Sequence, residues 1–196
     1  MKPKPYVIDV VDCSGADGLA TADNLVGNNT ATVRMGGMSN AVLTMIDRVI
    51  IAANSQQNAI RCLAFWGHGL VKIVDGEHKG LGLQFVSGGS ENVARNALGH
   101  ATIMTLHTRL AQLKAYFASA ARVELRGCGV ADGGDGGVEI MKRLAFIWGV
   151  KVHANTTDNV GMDWGTSFGS HTTKIVEVTP DGRVNMVNGI RYDART

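Results

Sequence analysis

The sequence predicts an α/β fold, with a mostly parallel central sheet, helices on both of its faces, and a hairpin of strands at the C-terminal end. Three observations carry this reading. Four short apolar runs, residues 6–11, 60–65, 121–125 and 150–154, have the near-continuous hydrophobicity of strands buried on both faces. The segments between them place apolar residues at helical spacing. Strands that alternate with such helices make crossover units, and crossovers join parallel neighbours.

Taken in order, residues 6–11 (YVIDVV) form the first strand. The Gly-, Asn- and Thr-rich stretch 14–37 has no helical period and reads as a long loop or an irregular hairpin. Ser39 or Asn40 is suited to cap a helix reaching about Asn54, with Val42, Met45, Ile46, Val49 and Ile50 as its apolar stripe. After strand 60–65, residues 70–89 mix glycines with a patch of Leu81, Leu83 and Phe85, which predicts a β-hairpin projecting near His68. A second helix is expected from about Ala101 to Ser119, burying Ile103, Leu106, Leu110, Leu113 and Phe117. Strand 121–125 follows. Asp135 precedes a third helix carrying Ile140, Met141, Leu144 and Ile147, which Gly149 closes ahead of strand 150–154. In the tail, residues 174–179 and 183–187 flank Pro180-Asp181-Gly182, the turn chemistry of a hairpin.

A chain of 196 residues suits a single domain, residues 1–196, with a sizeable core. Its net charge of +2 comes from scattered lysines and arginines, which argues against a nucleic-acid partner. No apolar run approaches the roughly 20 residues that cross a bilayer. The run 6–11 is too short for a signal peptide and leads into Asp12, so a cytoplasmic protein without membrane contact is expected. The three cysteines, Cys13, Cys62 and Cys128, are an odd number without CxxC or zinc-site spacing, which predicts reduced thiols and no structural metal. Asp132 and Asp135 fall short of a calcium loop. The glycine run around them lacks the Gly-Lys-Ser/Thr ending of a phosphate loop, so no cofactor is expected.

The chemistry points to two segments, Phe65-Trp66-Gly67-His68-Gly69 and Leu125-Arg126-Gly127-Cys128-Gly129. Each follows a predicted strand, and sites in parallel sheets form beyond the carboxyl ends of the strands. If those strands are neighbours, an imidazole and a thiol reach the same edge, the pairing a cysteine nucleophile needs. Flanking glycines let a substrate backbone approach and leave amide N–H groups to meet a developing oxyanion, with Gly69 as one donor. Arg126 lies two residues before Cys128 and shares its face. It is suited either to a carboxylate contact or to snorkelling into solvent at the strand end. Of the other histidines, His107 reads as helix surface and His153 as strand.

The ordered set Gly67-His68-Gly69, Leu81-Gly82, Gly127-Cys128-Gly129-Val130-Ala131, Gly136-Gly137, Asp163-Trp164 and Pro180-Asp181-Gly182 resembles the caspase-like cysteine peptidases. That superfamily includes caspases, legumain, gingipains, clostripain, separase and the self-processing domains of bacterial toxins, and the pattern is closest to a bacterial branch of it. The resemblance spans roughly residues 6–187. It implies a three-layer α/β/α sandwich and a His68/Cys128 dyad, with oxyanion donors at the Gly69 and Cys128 amides. It also implies acyl transfer through a thioester with a polypeptide as substrate. By the same resemblance Arg126 lines the pocket for the residue preceding the scissile bond. Asp158, Asp163 and Trp164 fall in a loop that walls the cleft, where Trp164 either holds substrate or anchors the loop. Trp66 is bulky at the edge of that cleft. A processing domain that cuts its own or a linked chain remains open, as does a catalytically silent module that binds a partner. A homodimer or a tethered partner domain is equally open.

Overall fold

The computed structural model describes residues 6–14, 19, 22–23, 25, 30–36, 41–56, 59–75, 77–84, 97–127, 129–131, 135–156, 167–168, 174–188 and 190–191. In chain order the strands are β1 (Tyr6–Asp12), β2 (Thr30–Met35), β3 (Ile60–Trp66), β4 (His68–Val74), β5 (Glu77–Gln84), β6 (Ala97–Gly99), β7 (Phe117–Arg126), β8 (Lys151–Asn155), β9 (Ser167–Phe168), β10 (Lys174–Val178), β11 (Val184–Asn188) and β12 (Ile190–Arg191). The helices are α1 (Ala41–Gln56), α2 (His100–Thr105), α3 (His107–Ala111) and α4 (Asp135–Trp148), with a 3-10 turn at Gln112–Tyr116.

Seven strands make the central sheet in the order β11-β10-β8-β7-β3-β1-β2. The five from β8 to β2 are parallel to one another, and β10 runs antiparallel to its neighbours β8 and β11. The protein is therefore a mixed α/β fold with a mostly parallel sheet, consistent with a three-layer α/β/α sandwich. A short antiparallel sheet, β4-β5-β6, leaves the end of β3 and lies beside α4. The C-terminal hairpin turns through Pro180-Asp181-Gly182, where Gly182 takes a φ of +83° and its N–H donates to the Thr179 carbonyl at 2.8 Å.

The two faces of the sheet differ sharply. Ile8, Val10, Leu63, Phe65, Val123 and Leu125 belong to one apolar cluster with residues from each of α1 to α4. The expected stripes account for it: Val42, Met45, Ile46 and Val49 of α1 and Ile140, Met141, Leu144 and Ile147 of α4 are all buried. On the other face a smaller cluster joins Val7, Val11, Cys62, Ala64 and Trp66 to Leu25 and the helical residue Ala22. Farther along that face β7, β8 and β10 bring in Arg122, Glu124, Arg126, His153 and Glu177, with Ile175 buried beside them.

Two elements depart from the sequence reading. The stretch 14–37, expected to be loop or irregular hairpin, contains β2, a parallel edge strand beside β1. Only Val33 and Met35 of its six residues are fully buried, so the strand carries little apolar signal. The helix expected over 101–119 is broken at Leu106 (φ −105°, ψ 16°) and ends at Tyr116. Phe117–Ala120 instead begin β7. Ladder pairing passes irregularly from Ile60–Phe117 to Cys62–Arg122, and Ala120 adopts φ +62° within that irregularity. Phe117 still packs on the apolar cluster, so its hydrophobicity fits a strand as well as a helix.

Candidate active site

The register between β3 and β7 fixes the geometry of the site. Trp66, the last residue of β3, lies directly opposite Arg126, the last residue of β7. The two strands are parallel neighbours, about 4.8 Å apart, so Gly67 and Gly127 leave the sheet from the same level. His68 stands two positions beyond Trp66, and Cys128 two beyond Arg126. Cys128 itself, with Asp158, Asp163 and Trp164, lies outside the described residues.

His68 is exposed and opens β4 opposite Gln84, while the half-buried Gly69 sits opposite Leu83. The predicted hairpin is thus present, and it starts at the histidine itself. Gly67, the bend between β3 and β4, is buried.

The backbone around position 128 is closely held. Gly127 and Gly129 are buried, and Gly129 has φ +60°, a conformation that side chains disfavour. Val130 is fully buried, and the Ala131 N–H donates to the Asn155 carbonyl at the end of β8, at 2.9 Å. In the first turn of α4, Gly137 packs so tightly on this segment that a Cβ there would sit 1.9 Å from the Val130 oxygen. Gly129 and Gly137 therefore have steric reasons to be glycine, independent of catalysis.

The structure buries the Arg126 side chain at the end of β7. It is 4% exposed. Its Nε donates to Glu124 Oε2 at 2.8 Å, Nη2 donates to the same oxygen, and the guanidinium lies 4.3 Å from the centre of the Trp66 ring. Snorkelling, one of the two readings offered by the sequence, is corrected by this burial: Glu124 and Trp66 draw the head inward. Trp66, expected at the edge of the cleft, is 3% exposed, and its Nε1 donates to Asp9 Oδ1 at 2.7 Å.

Arg126 belongs to a polar system that the sequence reading did not find. Asp9, Ala64, Glu124, His153, Glu177 and Asn185 occupy one register row across six strands. Glu124 is fully buried and also accepts from Arg122 Nε at 2.6 Å. Burial pushes its carboxyl up, but the charges and hydrogen bonds of Arg126 and Arg122 outweigh this and hold it well below the usual range. Glu177 accepts from Lys151 at 3.1 Å, from His153 Nε2 at 3.0 Å and from Asn185 at 3.2 Å. The signal was present as alternation, since Arg122-Val-Glu124-Leu-Arg126 and Lys151-Val-His153 place a polar, titratable side chain at every second position. Among the described residues no group of three His, Cys, Asp or Glu side chains is arranged to hold a metal ion.

His153 supplies a pH prediction. Burial lowers its imidazole pKa despite the neighbouring Glu124 and Glu177 carboxylates, so the folded protein holds it neutral. The unfolded chain then binds the proton more readily, and stability should fall as pH drops below the ordinary imidazole value of 6.5. Glu177 is pushed up by burial but held down on balance by Lys151, Asn185 and His153, so its contribution is lost only below the carboxylate value of 4.5. Urea midpoints for His153→Gln should stay level between these two values while those of the wild type decline. Parallel curves would refute the assignment.

A cleft of about 520 Å³ opens at the opposite edge of the sheet, bordered by Ser119, Arg122, Lys151, His153 and Pro180. It lies at the start of β7 and β8, away from the carboxyl ends where His68 stands.

Neither the protein-family models nor the curated proteins searched contain a match to this sequence. No helix among the described residues is long and apolar enough to cross a membrane.

Proposed function

We propose that this chain is a caspase-like cysteine endopeptidase with Cys128 as nucleophile and His68 as base. The observation that carries the reading is the pairing of Trp66 with Arg126, which starts both site turns at one level of the sheet. The exposed imidazole of His68 and the tightly held backbone from Gly129 to Ala131 support it further. In this reading His68 accepts the Cys128 proton and the thiolate adds to the peptide carbonyl. The Gly69 and Cys128 amides receive the negative charge on the carbonyl oxygen. Collapse breaks the C–N bond, His68 returns the proton to the leaving amine, and water hydrolyses the thioester. The substrate is a polypeptide. We assign the protein to the cytoplasm, on the reading that three cysteines without CxxC spacing are reduced thiols.

The test is intact-protein mass spectrometry after incubation with peptidyl fluoromethyl ketones bearing acidic, basic or apolar residues beside the warhead. One adduct is expected, on Cys128, absent in Cys128→Ala and slowed at least about 100-fold in His68→Ala. The competing thiols are disfavoured: Cys62 is 1% exposed, and burial raises the Cys13 thiol pKa despite nearby Arg34. Failure of every ketone to label Cys128 would overturn the peptidase reading and favour a silent binding module.

A further inference from the structure

We propose that Arg126 is a positioning residue that fastens the two site turns together, and that it does not read a substrate carboxylate. The kinetic part of this inference rests on the peptidase reading; the structural part does not.

The argument starts from what the guanidinium already does. One edge is engaged, because Nε and Nη2 both donate to Glu124 Oε2. Its face is engaged as well, lying 4.3 Å from the Trp66 ring centre. Nε, Nη2 and one face of the guanidinium are thus committed to residues of its own sheet. With 4% of its surface exposed, it offers an incoming carboxylate little to bind. That carboxylate would also compete with Glu124, a buried anion two residues earlier on the same strand.

The partners explain the position. Trp66 and Arg126 are register partners, and each is the last strand residue before a turn, Gly67-His68 in one case and Gly127-Cys128 in the other. Trp66 is held in turn by Asp9 of β1, which is fully buried. The series Glu124–Arg126–Trp66–Asp9 therefore spans β7, β3 and β1 at the point where both turns leave the sheet. Backbone pairing ends there, and side-chain contacts across the strands take over the task of keeping the turns at a constant spacing. A base and a nucleophile that depend on that spacing are sensitive to shifts of an ångström.

The experiment compares the full chain with Arg126→Met and Arg126→Lys. Each protein is treated with three fluoromethyl ketones carrying Asp, Leu or Arg beside the warhead, and labelling of Cys128 is resolved into a maximal rate and a half-saturating concentration. Amide hydrogen exchange is followed at residues 67–69 and 127–131, with α4 as internal reference. Arg126→Met should lower the maximal rate about 100-fold for all three probes, leaving their order and half-saturation unchanged. Exchange in the two turns should rise at least about tenfold while α4 is unaffected. Arg126→Lys keeps a cation over Trp66 and should recover part of both effects. Glu124 keeps its contact with Arg122 in either variant, which favours folding.

Selective loss of the Asp probe through a higher half-saturation would overturn the proposal, because Arg126 would then be reading substrate. Faster exchange in α4 as well would reduce the residue to a general stabiliser. If the wild type takes no probe, the peptidase reading falls alone, and the exchange data still decide: unchanged turns would refute the clamp.

Discussion

Glu124→Gln should lower unfolding stability by about 3 to 5 kcal/mol, the range for removing one partner of a buried ion pair. Glu124 has no exposed surface and accepts from Arg122 at one oxygen and from Arg126 at the other. The glutamine is nearly isosteric, so packing is kept while the carboxylate that both guanidiniums share disappears. Their side chains are 19% and 4% exposed, too little for water to replace it. Adding Arg122→Gln should then restore part of the loss, because one buried cation is harder to tolerate with a second beside it. Urea denaturation of the two variants and the wild type measures this. A single variant within about 1 kcal/mol of wild type would mean that the cluster is far wetter than its burial indicates. The pair also contributes to pH dependence. Its carboxyl is held below the ordinary value of 4.5, so its contribution is complete above that value and fades as pH falls toward the folded-state pKa.

Gly137→Ala should be comparably severe, and its sign is informative. In an ordinary helix interior, alanine in place of glycine is favourable by about 1 kcal/mol. Here the new Cβ would stand 1.9 Å from the Val130 oxygen and 2.9 Å from its carbonyl carbon, both backbone atoms. Either α4 or the segment 129–131 must move. Because Ala131 is tied to Asn155 and Val130 is buried, we expect a loss of about 3 kcal/mol or more by thermal or chemical denaturation. If the variant folds, labelling of Cys128 should slow, since its two C-terminal neighbours are the ones displaced. A variant as stable as wild type would show that the contact is looser than described.

The fold was legible to the extent that local pattern and tertiary environment agree. Strands β1, β3, β7 and β8 each carry a short apolar run buried in the sheet, and α1 and α4 show their stripes directly, so each was placed within a few residues. β2 was missed because an edge strand needs apolar residues on one face only, and here just Val33 and Met35 are fully buried. The long helix over 101–119 was overdrawn because Phe117 satisfies the same core from a strand. Of the candidate site, His68 and the turn around Gly129 could be read from glycine bracketing, since bare backbone is what a buried turn and a reacting centre both require. The environment of Arg126 could not. Its partners Glu124 and Trp66 are near in sequence and in register respectively, and only the pairing of β3 with β7 brings them to the same guanidinium.

The contrast between the two faces of the sheet has one more consequence, for how the chain finds its pairing. Sliding β7 by a single residue against β3 would exchange its faces. Val123 and Leu125 would leave the apolar layer, while Arg122, Glu124 and Arg126 would be driven into it, away from their partners across the strands. Three charges thrust among leucines and isoleucines make that slip prohibitively unfavourable. The same row that surrounds the candidate site therefore acts during folding as an alignment mark, admitting one register and rejecting its neighbours.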